Sequence, residues 1–185
     1  GGQAERCAGC GGDDCPAIEA EFDWGTYSCR VGFGCDTKGN YYVLESNGRL
    51  RRIFKNEQGV WWVRHCAGQN ESLLPYGSKA DPFKQVGDKM PATRLRIASL
   101  MGVARDGDVY VSTSNGAIAR IRGDQAEAVF MLDAALLEKI KADPVWAEVK
   151  AEPITRLPQF CAFDGIDTFL CSGGGPGGPG GRPRQ

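Results

Sequence analysis

Eight cysteines and a single histidine carry most of the reactive chemistry open to this chain of 185 residues. Cys7, Cys10 and Cys15 crowd near the N-terminus, and two thiolates spaced C-x-x-C can share a zinc ion or close a redox disulfide. With Cys29 and Cys35 as a looser second pair, Cys7, Cys10, Cys29 and Cys35 form a zinc-binding or thiol-redox alternative. A four-cysteine zinc site normally shows two tight pairs. Disulfides are therefore the preferred reading, with Cys7, Cys10, Cys15, Cys29, Cys35, Cys66, Cys161 and Cys171 as candidates for up to four bridges. Haem attachment is excluded, because Gly11 follows Cys10 where a histidine is required. Such cysteine usage suits an oxidising compartment, so the expected location is extracytoplasmic: secreted, periplasmic or at the cell surface. The Gly-Gly start reads as a processed N-terminus, compatible with a removed leader or a lipid anchor.

Other chemistry is thin. His65 stands between Arg64 and Cys66 without a nucleophile turn of the G-x-S-x-G kind, so no catalytic set is assigned. Asp13-Asp14, and Asp106 with Asp108, suit local turn hydrogen bonding. The glycine clusters lack the strand-to-helix setting and the lysine of a phosphate loop. No cofactor is expected. With 22 basic against 23 acidic residues, nothing favours nucleic acid held by bulk electrostatics. No apolar run approaches the roughly 20 residues of a membrane helix.

Binding is the remaining class. In Trp61-Trp62, adjacent strand residues face opposite ways, so one ring is core and the other can join Tyr41 on a surface. Arg49, Arg51 and Arg52 fall around one strand; a solvated edge is the plain reading, an acidic partner the functional one.

These residues need a scaffold, and an internal repeat supplies it. The stretches starting at Gly34 and Gly102 lie 68 positions apart and share nine identities in twenty. The shared residues are Gly34, Gly39, Tyr42, Val43, Ser46, Asn47, Gly48, Arg52 and Ile53 against Gly102, Gly107, Tyr110, Val111, Ser114, Asn115, Gly116, Arg120 and Ile121. In the first unit, strands are predicted over 30–35, 40–45, 49–55 and 60–66, with a type I′ turn at Asn47-Gly48. In the second they are predicted over 98–104, 108–113, 117–122 and 126–132. The segment 157–172 reads as a third unit cut short, with its hairpin bringing Cys161 and Cys171 nearly opposite each other. A local disulfide there is plausible.

This pattern of glycines, Tyr-Val strand and Asn-Gly turn resembles the NHL-type repeat of six-bladed β-propellers, over 34–66 and 102–132 well and over 158–172 weakly. The resemblance implies propeller-like blades and a binding platform, and transfers no catalytic residues. One chain normally needs at least four blades to close a ring; two and a half imply that other protein chains, identical or different, complete it. The expected fold is all-β: antiparallel β-meander repeats, disulfide-stapled, with a short helical insert. Residues 1–21 form a Cys/Gly-rich tether and 22–172 the repeat domain, with units at about 30–66, 98–132 and 157–172. A loop insert occupies 67–93, a helical insert 133–151, and a Gly/Pro-rich tail 173–185. The expected role is a non-catalytic, exported protein-binding module or assembly subunit.

Overall fold

A computed structural model describes residues 13–24, 32–69, 83–113, 116–131, 138–139 and 142, and the backbone alone of 160–163 and 169–172. The described chain is almost entirely antiparallel β-structure. Its strands are β1 (Cys15–Pro16), β2 (Gly32–Cys35), β3 (Tyr41–Leu44), β4 (Leu50–Lys55), β5 (Trp61–Ala67), β6 (Lys89–Pro91), β7 (Ile97–Val103), β8 (Val109–Thr113), β9 (Ala117–Arg122), β10 (Gln125–Met131), β11 (Phe160–Phe163) and β12 (Phe169–Ser172).

Each repeat unit is a five-stranded sheet. The orders are β1-β5-β4-β3-β2 and β6-β10-β9-β8-β7, the same topology twice. A short strand ending in proline and a single 3-10 turn open each unit, at Ala17–Glu19 and Ala92–Arg94, and that strand pairs with the last strand of its own meander. The tether and the loop insert are therefore corrected in part: residues 15–16 and 89–91 are sheet strands. Two or three residues ending in proline carry no alternation from which a strand can be read.

The hairpins follow from glycine. In the turns at 36–40, 45–49, 56–60 and 104–108, the glycine N–H donates to the first residue's carbonyl and the first residue's N–H to the fifth's carbonyl. This is a three-residue loop with a left-handed glycine, and not type I′ as predicted at Asn47-Gly48. Gly48 has φ 85°, whereas among the described residues Asp14 is the one non-glycine at positive φ. Asn47 instead accepts the Arg49 N–H on its side-chain oxygen at 3.0 Å.

The two sheets pack face to back. Tyr42, Leu44 and Leu50 of the first share one core with Val109, Val111, Ala119 and Ile121 of the second. By the repeat offset, Val109 and Val111 correspond to Tyr41 and Val43, which lie on the opposite face of the first sheet. Alanines 117, 119, 126 and 128 keep the second sheet's packed face low. Gly32 and Gly34 do the same on β2, where a Cβ would stand 2.7 Å from Leu100 Cβ and from Val103 Cγ2. Strand β7 also lies against β11, so the first meander strands of successive units, β2, β7 and β11, run side by side.

Among the described side chains, Cys35 and Cys66 are free thiols, and Cys15 is buried. The expectation of bridges is corrected for Cys35 and Cys66. Cys35 on β2 and Cys66 on β5 are three strand spacings apart, about 14 Å, and a disulfide needs Cα atoms within about 7 Å. Cys7, Cys10 and Cys29 lie outside the described residues. Of the helical insert, Glu138, Lys139 and Ala142 are described as helical; the rest of 133–151, and the tail 173–185, also lie outside. No described helix is long and apolar enough to cross a membrane.

Gly68 joins the units. Its N–H donates to the Ala92 carbonyl at 2.9 Å, and at φ 86° a Cβ there would stand 2.1 Å from the Gly48 carbonyl oxygen. Gly68→Ala should cost about 3 kcal/mol or more, measured by urea unfolding. A loss below about 1 kcal/mol, within the range of an ordinary substitution, would contradict this packing.

Candidate functional site

The outer face of the first sheet carries an open row of aromatic rings. Alternation in Gly32-Phe33-Gly34-Cys35 sends the glycines inward and Phe33 outward, where it is 66% exposed. Its ring lies 5.7 Å from that of Tyr41, which lies 5.7 Å from Trp61. Lys55 extends its ammonium over Trp61 at 5.1 Å. Phe22 and Trp24 stack further along the chain, and Trp24 is exposed. The second sheet has no such row: Leu100 and Val109, which take the ladder positions of Phe33 and Tyr41, pack into the core shared with the first unit.

The sequence leaves open which of Trp61 and Trp62 joins Tyr41; the structure places Trp61 beside it. Trp62 is half-buried and its backbone pairs with Pro16 and Phe54, so it stands apart from the row. Phe33, the most exposed member, was missed; its signal was an aromatic between two glycines on a strand, with no small neighbour to cover it.

The arginines are a different matter. Arg51 is completely buried on the outer face, donating to Glu45 Oε1 at 3.2 Å and to the Glu21 carbonyl at 2.5 Å. Its Nε lies 3.4 Å from Asp13, and its guanidinium sits over Phe22 at 4.6 Å. Arg49 pairs with Asp13. Arg52 points to the inner face, donating to Asn40 Oδ1 at 3.2 Å and covering Phe54. A solvated basic edge is therefore corrected for Arg49 and Arg51, whose guanidinium groups lie against the chain's own carboxylates and the Glu21 carbonyl.

A cavity of about 170 Å³ lies between the sheets, lined by Asp36, Asn40, Tyr42, Arg52 and Cys66 of the first unit and by Asp106, Gly107 and Val109 of the second. Asp36 receives the backbone N–H groups of Lys38 and Asn40 at 2.9 Å and the Asn40 amide at 2.6 Å. Burial opposes its ionisation, but these donors outweigh burial and hold the carboxyl below its ordinary range. Tyr42 is pushed up to about 12, by burial first and then by the nearby Asp36 charge. Cys66 is the extra residue of a bulge, since Leu50 pairs with Ala67 while Arg51 pairs with His65. Burial pushes its thiol up to about 12. A neutral thiol beside a saturated carboxylate offers neither nucleophile nor base.

His65 is also accounted for, its Nε2 lying 2.8 Å from the carbonyls of Ala67 and Gly68, to which it donates. Among the described residues no three His, Cys, Asp or Glu side chains cluster as a metal site. Of the zinc alternative only Cys35 is described, exposed and unbridged. No family model, curated protein or solved structure matches the chain.

The two free thiols should separate by reactivity. At pH 8, Cys35 should alkylate at least about 100-fold faster than Cys66 in the folded protein, read by peptide mass; equal rates would contradict the burial. The same shifts set an alkaline limit. The folded state keeps the Cys66 and Tyr42 protons up to about 12, whereas the unfolded chain releases them from about 9 and about 10. Stability should be fully present below pH 9 and fall as pH rises toward 12. Tyr42→Phe, with no proton to lose, should flatten the upper part of that fall.

Proposed function

We propose that this protein is a non-catalytic, exported binding module that takes another protein chain on the outer face of its first sheet, as a subunit of a larger extracytoplasmic assembly. The observation that carries this reading is the Phe33–Tyr41–Trp61 row, exposed at a place where the second unit packs Leu100 and Val109 against a neighbouring sheet. Large aromatic groups that can be covered without losing much side-chain entropy suit a protein interface. Their adjacency makes a single apolar patch, and Lys55 at its margin supplies a polar rim.

The units are read as propeller-like blades. Face-to-back packing repeats one interface along the chain, and a stack of that kind has two unlike ends. The aromatic row lies on one end, so the partner there, a second copy or a different chain, presents a sheet face or an apolar edge to it. Eight cysteines support an oxidising location.

Native mass spectrometry of the protein from its own source should report a complex. Cross-links from Lys55 to the partner chain should disappear in Phe33→Ser/Trp61→Ser together with the complex. Stability should change by less than about 1 kcal/mol, as expected for exposed positions. A protein that is monomeric at source, or a complex indifferent to both substitutions, would sink the proposal.

A further inference from the structure

The hairpin of β11 and β12 places two cysteines face to face in its ladder. Phe160 pairs with Ser172, Cys161 with Cys171, Ala162 with Leu170 and Phe163 with Phe169, with no register shift. Directly opposed residues of an antiparallel pair have Cα atoms about 4.5 Å apart at non-hydrogen-bonded positions and about 5.5 Å at hydrogen-bonded ones. Both values fall inside the roughly 4.4–6.8 Å over which a disulfide spans two Cα atoms. Opposed residues also share one face of the hairpin.

We infer that Cys161 and Cys171 are a redox modification site, a dithiol that a small-molecule disulfide or a dithiol–disulfide oxidoreductase converts to a cross-strand disulfide. This proposal stands apart from the binding face and does not rest on it. The thiolate of one cysteine attacks a sulfur of the oxidant R–S–S–R, forming a mixed disulfide and expelling the thiolate RS⁻. The second cysteine's thiolate attacks the protein sulfur of that mixed disulfide and expels a second RS⁻. One protein disulfide forms, one oxidant disulfide becomes two thiols, and the two cysteine protons pass through solvent to the released thiolates.

Register makes the second step intramolecular. The ladder pairs on either side of Cys161 and Cys171 hold the acceptor sulfur's backbone and the attacker's in place, so the mixed disulfide is short-lived. Cys35 and Cys66 lack such an arrangement, since they sit on strands three spacings apart in the first sheet. The hairpin lies against β7 through β11, so closing the bond clamps the third unit where it meets the second.

The experiment takes the full chain, reduces it with dithiothreitol, and equilibrates it with glutathione disulfide before alkylation and peptide mapping. Wild-type protein should yield a peptide pair joined through Cys161 and Cys171, about 2 Da lighter than the two thiol peptides together, and dithiothreitol should return both thiols. In Cys171→Ser, Cys161 should retain one glutathione, because the resolving thiol is gone. Alkylation of both cysteines in the oxidised wild type, or a bridge from either to a different cysteine such as Cys35, would overturn the assignment. Because the decisive readout is made on the wild type, a variant that fails to fold leaves the test intact.

Discussion

The buried pair of Arg51 and Glu45 is the constraint on which the first unit depends. Both side chains are essentially inaccessible, at 0% and 1% exposure, and a buried charge is tolerated only when paired and hydrogen-bonded. Part of their remaining bonding capacity is met by one segment of chain. Arg51 donates to the Glu21 carbonyl, Glu45 accepts the Asp23 N–H, and Asp13 lies beside Arg49 and Arg51. Residues 13–24 are thus bound across the outer face and bring β1 onto the edge of β5. In the second unit the same two repeat positions hold Ala119 and Thr113. There a whole sheet covers the face, small residues suffice, and no ion pair is needed.

The first unit is therefore a modified end of a stack. Where a preceding sheet would pack, it carries a polar clamp and a strap on one part of the face. On the other part it carries Phe33, Tyr41 and Trp61, which nothing among the described residues covers. The inner face is built for close approach, with Gly32, Gly34 and Gly107 against Leu100, Val103 and the Asp36–Tyr42 pair. The polar cavity at that junction belongs to this packing: Thr37 donates to the Arg105 carbonyl at 2.6 Å, tying corresponding turns of the two units together. In the proposed reading, binding falls to the exposed rings on the outer face.

The meander strands were legible because residues carrying the repeat are also the ones that make it: glycines at the turns and alternating Tyr-Val pairs in the second strand. Nothing in the sequence announced the fifth strand. Cys15-Pro16-Ala17 and Met90-Pro91-Ala92 share Pro-Ala at a spacing of 75 rather than 68, and a strand this short has no period. The arginine run misled for a related reason. Arg51 looks solvated beside Arg49 and Arg52, yet its partners come from residues some thirty positions earlier, in a segment rich in glycine and acid that reads as a loop. Alternation says that the rings of Trp61-Trp62 face opposite ways, but which of them joins Tyr41 is decided by the register of β3, β4 and β5. Phe33 was not legible, because its exposure depends on the absence of a sheet that the repeat elsewhere provides.

Amide hydrogen exchange of residues 13–24 in Arg51→Met tests this account most directly. Removing the guanidinium leaves the buried Glu45 with only the more distant Arg49, at 3.9 Å, as a cation, which should cost about 3 kcal/mol, and it releases the strap. The backbone N–H groups of Asp14 and Asp23 should exchange at least about 100-fold faster than in the wild type, while Val111 and Ile121 in the second sheet lose only what global stability loses. Adding Glu45→Leu to Arg51→Met should restore much of the stability without restoring protection of the strap. Unchanged protection of Asp14 and Asp23 in Arg51→Met would contradict the claim that this ion pair holds the first unit together.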